Sequence, residues 1–213
     1  MRSSRLRFPL ARALLLAAFL AFSGQALASR TVLVFGDSLS AAYGLASEQG
    51  WVHLLGVRAT RAGIDTRIVN ASVSGETTAG GVRRLPDALQ RHKPSIVLIE
   101  LGANDALRGQ PIAAIRANLE RMIRLTRDAK AQPVLVGIMI PPNYGIDYAN
   151  EFRELFPSLA RKHGIPLVPF LLEGIADKPD MFLPDQLHPS AAAQERLLDN
   201  VWKTLEPLLR RKT

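Results

Sequence analysis

Val34-Phe35-Gly36-Asp37-Ser38-Leu39-Ser40 carries an apolar run onto a glycine, an acid and a serine. The run starts near Thr31 and is apolar on both alternate faces through Phe35, the pattern of a strand covered on two sides. Four further runs share this pattern, at 66–69, 95–101, 134–140 and 167–170, each short and rich in Val, Ile or Leu. Between them the apolar residues change to helical spacing. Leu54, Leu55, Val57 and Arg58 belong to a first such segment, Val82, Leu85 and Leu89 to a second, and Ile112, Ile115, Leu119, Met122 and Ile123 to a third. A fourth covers 148–163 and a fifth 191–209. The alternation predicts an α/β domain with five parallel strands and helices on both faces of the sheet.

Punctuation agrees with that parse. Pro86 is expected to kink or split the second helix, and Gly164-Ile165-Pro166 stops the fourth before the fifth strand. No internal repeat or linker divides the chain, so residues 29–213 are expected to form one domain. Residues 171–187 are irregular, and a loop of that length in a compact domain is often functional.

The first 28 residues read differently. Arg2, Arg5, Arg7 and Arg12 precede an unbroken ten-residue apolar run at 13–22, and Ala26-Leu27-Ala28 supplies a small-x-small cleavage site. Ten residues are half of the ~20 that span a bilayer, which favours a removed signal peptide over an anchor. A periplasmic or secreted location after cleavage near Ala28 is therefore expected, with no stable membrane anchor afterwards. The four leader arginines supply half of the formal charge of +8, leaving a mild +4 for residues 29–213. Its densest run, Arg210-Arg211-Lys212, has no interleaved aromatics, so no nucleic-acid function is expected. With no cysteine the chain has no disulfide, thiolate ligand or thiol nucleophile, and its chemistry must use oxygen or imidazole.

In an open parallel sheet, ligands collect beyond the carboxyl ends of the strands, and Gly36-Asp37-Ser38 directly follows the first strand. A serine hydroxyl is a weak nucleophile unless a base and an orienting group reach it. Asp185-Gln186-Leu187-His188-Pro189 offers both. Residues three apart in a turn lie within about 7 Å, so Asp185 can hold one nitrogen of His188 and leave the other facing outward. Pro189 suits the first turn of the last helix. Each piece also has a plainer reading: Ser38 as a helix cap, Asp185 and His188 as a cap or metal ligands. His53, His92 and His163 look structural. For an oxyanion, Gly75 and the Ser38 amide offer backbone donors and Asn104 a side-chain amide, although Asn104-Asp105 also fits an Asx turn.

These four blocks, Gly36-Asp37-Ser38-Leu39, Gly75 within Asn70–Thr77, Gly102-Ala103-Asn104-Asp105 and Asp185-Gln186-Leu187-His188, resemble in order those of the SGNH (GDSL) hydrolase superfamily. Within it the chain resembles the exported multifunctional bacterial thioesterases and lysophospholipases, over essentially all of residues 29–213. The resemblance implies a flavodoxin-like three-layer α/β/α sandwich around a central five-stranded parallel sheet. It further implies Ser38 as nucleophile, His188 as base, Asp185 as orienter, and an oxyanion hole from Ser38, Gly75 and Asn104. Ala103 and Glu76 depart from the family's usual glycine and aspartate, which bears on substrate range more than on mechanism.

No metal or cofactor is needed for such chemistry. Expected substrates are small acyl esters and thioesters, including aryl esters and lysophospholipids, with Ile140, Pro141, Asn143 and Tyr144 as candidate walls for the acyl chain; the same loop also reads as a rigid turn over the core. A monomer is expected. A neutral base implies a rate that falls as the pH drops through about 6 to 7, the reference histidine range. Two rival readings remain: an FMN-type phosphate binder, which Asp37 and the lack of a glycine-rich nest argue against, and an exported non-catalytic binding module on the same fold.

Overall fold

The computed structural model describes residues 30–211; the expected signal peptide and Lys212 lie outside the described residues. Five strands form one all-parallel sheet in the order β2-β1-β3-β4-β5. They are β1 (Arg30–Gly36), β2 (Thr66–Asn70), β3 (Ile96–Glu100), β4 (Gln132–Val136) and β5 (Leu167–Val168). Six helices connect and cover them: α1 (Trp51–Arg61), α2 (Thr78–His92), α3 (Ala103–Leu107), α4 (Ile112–Asp128), α5 (Ile146–His163) and α6 (Gln194–Arg210). Helix α1 packs with α6, while α2 packs with α4 and α4 with α5, giving the three-layer arrangement.

The strands that read as buried on both faces divide by position in the sheet. Val32 to Phe35 of β1 and Val97 to Ile99 of β3 are fully buried at its centre. The edge strand β2 is only partly covered, because it has a neighbour on one side alone. The run at 134–140 is shorter as a strand than its composition predicts. β4 stops at Val136, which with Val168 is the last registered pair of its ladder with β5. Gly137 then crosses over β5: its N–H donates to Val168 and its carbonyl accepts from Leu171, so close that a Cβ would stand 2.2 Å from the Pro169 carbonyl. Ile138 and Ile140 stay buried, but in the wall of a cleft.

Three proline and cap expectations are corrected. Pro86 does not split α2, which runs unbroken for 15 residues. Its missing N–H costs one bond of a helix whose Leu85 and Leu89 are buried against the core, so tertiary packing overrides the local penalty. Pro189 is not in the last helix. It pairs in an isolated antiparallel bridge with Phe182, a 3-10 turn covers Ala191–Ala193, and α6 starts at Gln194. Asn104 lies within a helix, the five-residue α3, entered from β3 through Gly102 at φ +125°, a conformation that L side chains rarely adopt.

Candidate active site

The register pairs Gly36 of β1 with Glu100 of β3, so the loops that follow these two strands leave the sheet side by side. The first carries Asp37 and Ser38, the second Asn104. Leu39 and Ser40 are held from several directions: the Trp51 indole N–H donates to the Leu39 carbonyl (3.1 Å), and the Asn70 side chain to the Ser40 carbonyl (2.8 Å). The Ser38 turn is therefore anchored to α1 and to β2 by buried or half-buried polar contacts, each of which fixes a group that could not otherwise be left unpaired.

His188 reaches Ser38 across 150 residues of sequence. Its Nε2 lies 2.9 Å from Ser38 Oγ and its Nδ1 2.7 Å from Asp185 Oδ2. The other carboxylate oxygen, Oδ1, accepts the backbone N–H groups of Leu187 (2.9 Å) and His188 (3.0 Å). These bonds, led by the His188 amide and ring, hold Asp185 down at about 2. An ionised Asp185 can only accept, so Nδ1 carries a proton and Nε2 of the neutral ring is free to accept from the serine hydroxyl. The loop bearing the pair is clipped shut, as Leu183 N–H donates to His188 O (2.7 Å) and Ser190 N–H to Met181 O (2.8 Å). The Tyr43 ring lies 4.3 Å from the imidazole, centroid to centroid, at 33°.

Two residues that sequence reasoning missed brace the loops around Ser38. Gln194, buried at the start of α6, accepts the Trp51 backbone N–H (3.0 Å) and donates to the Pro189 (3.2 Å) and Ser190 carbonyls. Arg84 of α2 ties down the loop that bears Gly75: it pairs with Glu76 (2.7 Å), donates to the Ala71 carbonyl (2.8 Å) and lies over the Phe35 ring. A buried glutamine at a helix start has no sequence signature. An arginine eight residues after a glutamate on a loop has only a weak one.

Asp37 is fully buried, accepting the Leu39 N–H on Oδ1 (3.0 Å) and the Asn104 amide on Oδ2 (3.1 Å). Burial pushes its pKa up to about 6, against the pull of those two bonds. One N–H of Asn104 is thus held, and a second remains on the same nitrogen. Gly75, at φ +77°, lines the same cleft as Ser38, Asn104 and His188.

That cleft has a volume of about 230 Å³, and its far wall is apolar, from Leu107, Ile138, Ile140, Pro141 and Leu172. Ile140 and Pro141 line it, whereas Asn143 and Tyr144 are exposed in the following 3-10 turn and do not. A larger open groove of about 730 Å³ runs along α1 and β2 and is lined by Ser47, His53 and Arg61 among others; there the Ser47 hydroxyl donates to Glu48 (2.9 Å). His163 faces Glu120 at 3.6 Å, away from Ser38. Among the described residues no group of three His, Asp or Glu side chains converges to hold a metal ion, and no helix is long and apolar enough to cross a membrane.

Comparison with known proteins places the chain in a family. The model of the GDSL-like Lipase/Acylhydrolase family matches residues 34–196. The chain is 49% identical over 200 residues to esterase TesA of Pseudomonas aeruginosa, spanning 93% of this chain and 100% of that protein. It is 43% identical to an arylesterase of Vibrio mimicus (91% and 97% covered) and 38% to thioesterase 1/protease 1/lysophospholipase L1 of Escherichia coli K12 (87% and 88%). A crystal structure of TesA matches with a TM-score of 0.82 at 49% identity, over 84% of this chain and 99% of that one. The chain belongs to the GDSL-like lipase/acylhydrolase family, among the SGNH hydrolases.

Proposed function

We propose that this ester hydrolase cleaves acyl esters and thioesters, aryl esters and lysophospholipids included, with Ser38 as nucleophile, His188 as base and Asp185 as its orienter. The observation that carries the reading is the unbroken chain of contacts from Asp185 through both imidazole nitrogens to the Ser38 hydroxyl. Its geometry and polarity are those of a nucleophile, base and orienter acting as a unit.

In the proposed cycle His188 Nε2 takes the Ser38 proton as Oγ attacks the acyl carbonyl, and the imidazolium is stabilised by the ionised Asp185. Charge gathers on the former carbonyl oxygen, for which the Ser38 and Gly75 backbone N–H groups and the Asn104 amide are the proposed donors. The imidazolium then gives its proton to the departing alcohol or thiol. Water, deprotonated by the same nitrogen, attacks the acyl-enzyme, and the imidazolium returns that proton to Ser38 Oγ as the acid leaves. The cleft is smaller than the ~300–1,000 Å³ of sites that enclose whole drug-sized ligands, so it suits one acyl chain with the leaving group at the open mouth.

The leader at residues 1–28 supports export as part of the same reading, and favours oxyesters and lysophospholipids over acyl-CoA as substrates in the cell. Hydrolysis of p-nitrophenyl acyl esters by wild type and Ser38→Ala tests the chemistry. Turnover should fall by roughly 10⁴ or more in the variant. Equal turnover by both proteins, or none by wild type, overturns it.

A further inference from the structure

Glu100 is a fully buried acid at the carboxyl end of β3, beneath the nucleophile turn, and the cycle above gives it no task. Its Oε2 accepts the Ser40 hydroxyl (2.7 Å), two positions after Ser38, and the Asp37 backbone N–H (3.3 Å), one position before it. Its Oε1 is buried and has no hydrogen-bond partner among the described residues. The β1–β3 register sets Gly36 directly across from it, and a Cβ there would stand 2.5 Å from Oε2 and 2.9 Å from Ser40 Oγ. Glycine at 36 is what lets the carboxyl come up under the backbone.

We propose that Glu100 is a positioning residue of the hydrolytic site, an uncharged buried carboxyl that grips Asp37 and Ser40 and thereby fixes where Ser38 is presented; the inference rests on the Ser38 reading above. The charge Glu100 faces is the Asp37 carboxyl rather than a cation, and burial together with that neighbour pushes its pKa well above the ordinary carboxylate range. An ionised Oε1 at this place would give up its hydration with no donor in return, which is strongly unfavourable. A proton on the acid removes that cost and leaves Oε2 free to accept both bonds. Of two neighbouring buried acids Glu100 is then the neutral one, and Asp37 can carry the charge that holds Asn104.

The test combines a charge readout with kinetics. Infrared difference spectra at neutral pH, wild type minus Glu100→Gln, should contain the carbonyl stretch of a protonated carboxylic acid. A carboxylate pair of bands there instead overturns the proposal. On p-nitrophenyl butyrate, Glu100→Gln, which keeps an acceptor for both bonds, should hold kcat within about threefold of wild type and leave its pH profile in place. Glu100→Ala should lose about 10- to 100-fold in kcat with KM little changed, since a misplaced nucleophile binds substrate normally. Should Glu100→Ala fail to fold, Ser40→Ala removes one of the two grips and should give a smaller fall of the same kind. Equal losses in Glu100→Gln and Glu100→Ala contradict the assignment. An inactive wild type would sink the hydrolytic reading instead, and the infrared bands would still decide the charge of Glu100.

Discussion

Asp37 serves the nucleophile turn in a way that its own burial opposes. Its carboxylate holds the Leu39 amide and Asn104, yet burial lifts its pKa to about 6. An acid raised in the folded state binds more protons folded than unfolded, so the stability it contributes is full below about pH 4 and lost as the pH rises through about 6. The melting temperature of wild type should therefore fall relative to Asp37→Asn between about pH 4 and 7, and a wild-type curve that rises against the variant contradicts this. Asp185 has the opposite sign. Held at about 2, its interactions are present above the ordinary carboxylate pKa near 4 and are lost as the pH falls towards 2. It stays ionised wherever a neutral imidazole can work. Asp185→Asn keeps the shape but gives Nδ1 a partner that no longer selects the productive tautomer, and kcat should drop by about 10³–10⁴ in a folded protein, as read by steady-state kinetics beside circular dichroism. The contact between Asp185 and His188 is legible in sequence because a four-residue turn fixes it locally. Glu100 is not, since one acid closing an apolar run looks like an ordinary strand end until the register sets it under Gly36.

At the scale of elements, two loops must be kept in contact although 150 residues separate Ser38 from His188, and Gln194 is the brace between them. Gln194→Ala would leave the buried Trp51 backbone N–H unpaired, at about 1–2 kcal/mol, or roughly 2–8 °C in Tm for a domain of this size. Turnover should fall by more than stability alone predicts, because the imidazole loop loses its tie to the nucleophile side. Thermal melts and kcat measured on the same samples check this, and a Tm loss with unchanged kcat would contradict the brace. Strand positions are legible here because central parallel strands must be apolar on both faces, as 32–35 and 96–99 are. The end of β4 is not, because Ile138 and Ile140 are apolar for a different reason: they wall a cleft, and composition alone does not separate a cleft wall from a buried strand. The persistence of α2 through Pro86 is likewise settled by packing that no local rule contains.

At the scale of the molecule, the sheet brings every proposed reacting group to the carboxyl edge, the outcome that parallel order and the switch between β1 and β3 dictate. Fold class and edge are thus legible from the alternation of periods, whereas the size and lining of the cleft depend on side chains from the separate segments that follow the five strands. Initial rates over oxyesters from about C4 to C16, with matched thioesters, should peak at short to medium chains that the apolar wall can cover. A flat profile would contradict an acyl chain in this cleft, and a steep fall beyond C4 would remove lysophospholipids from the proposed substrates. The central claim is that one serine hydroxyl, primed by His188, forms the covalent intermediate. Reaction with a p-nitrophenyl alkylphosphonate followed by peptide mass spectrometry tests it most directly: a single adduct on Ser38, appearing in proportion to lost activity and slowed in His188→Ala, is the predicted result, and full inhibition with Ser38 unmodified is the result that contradicts it.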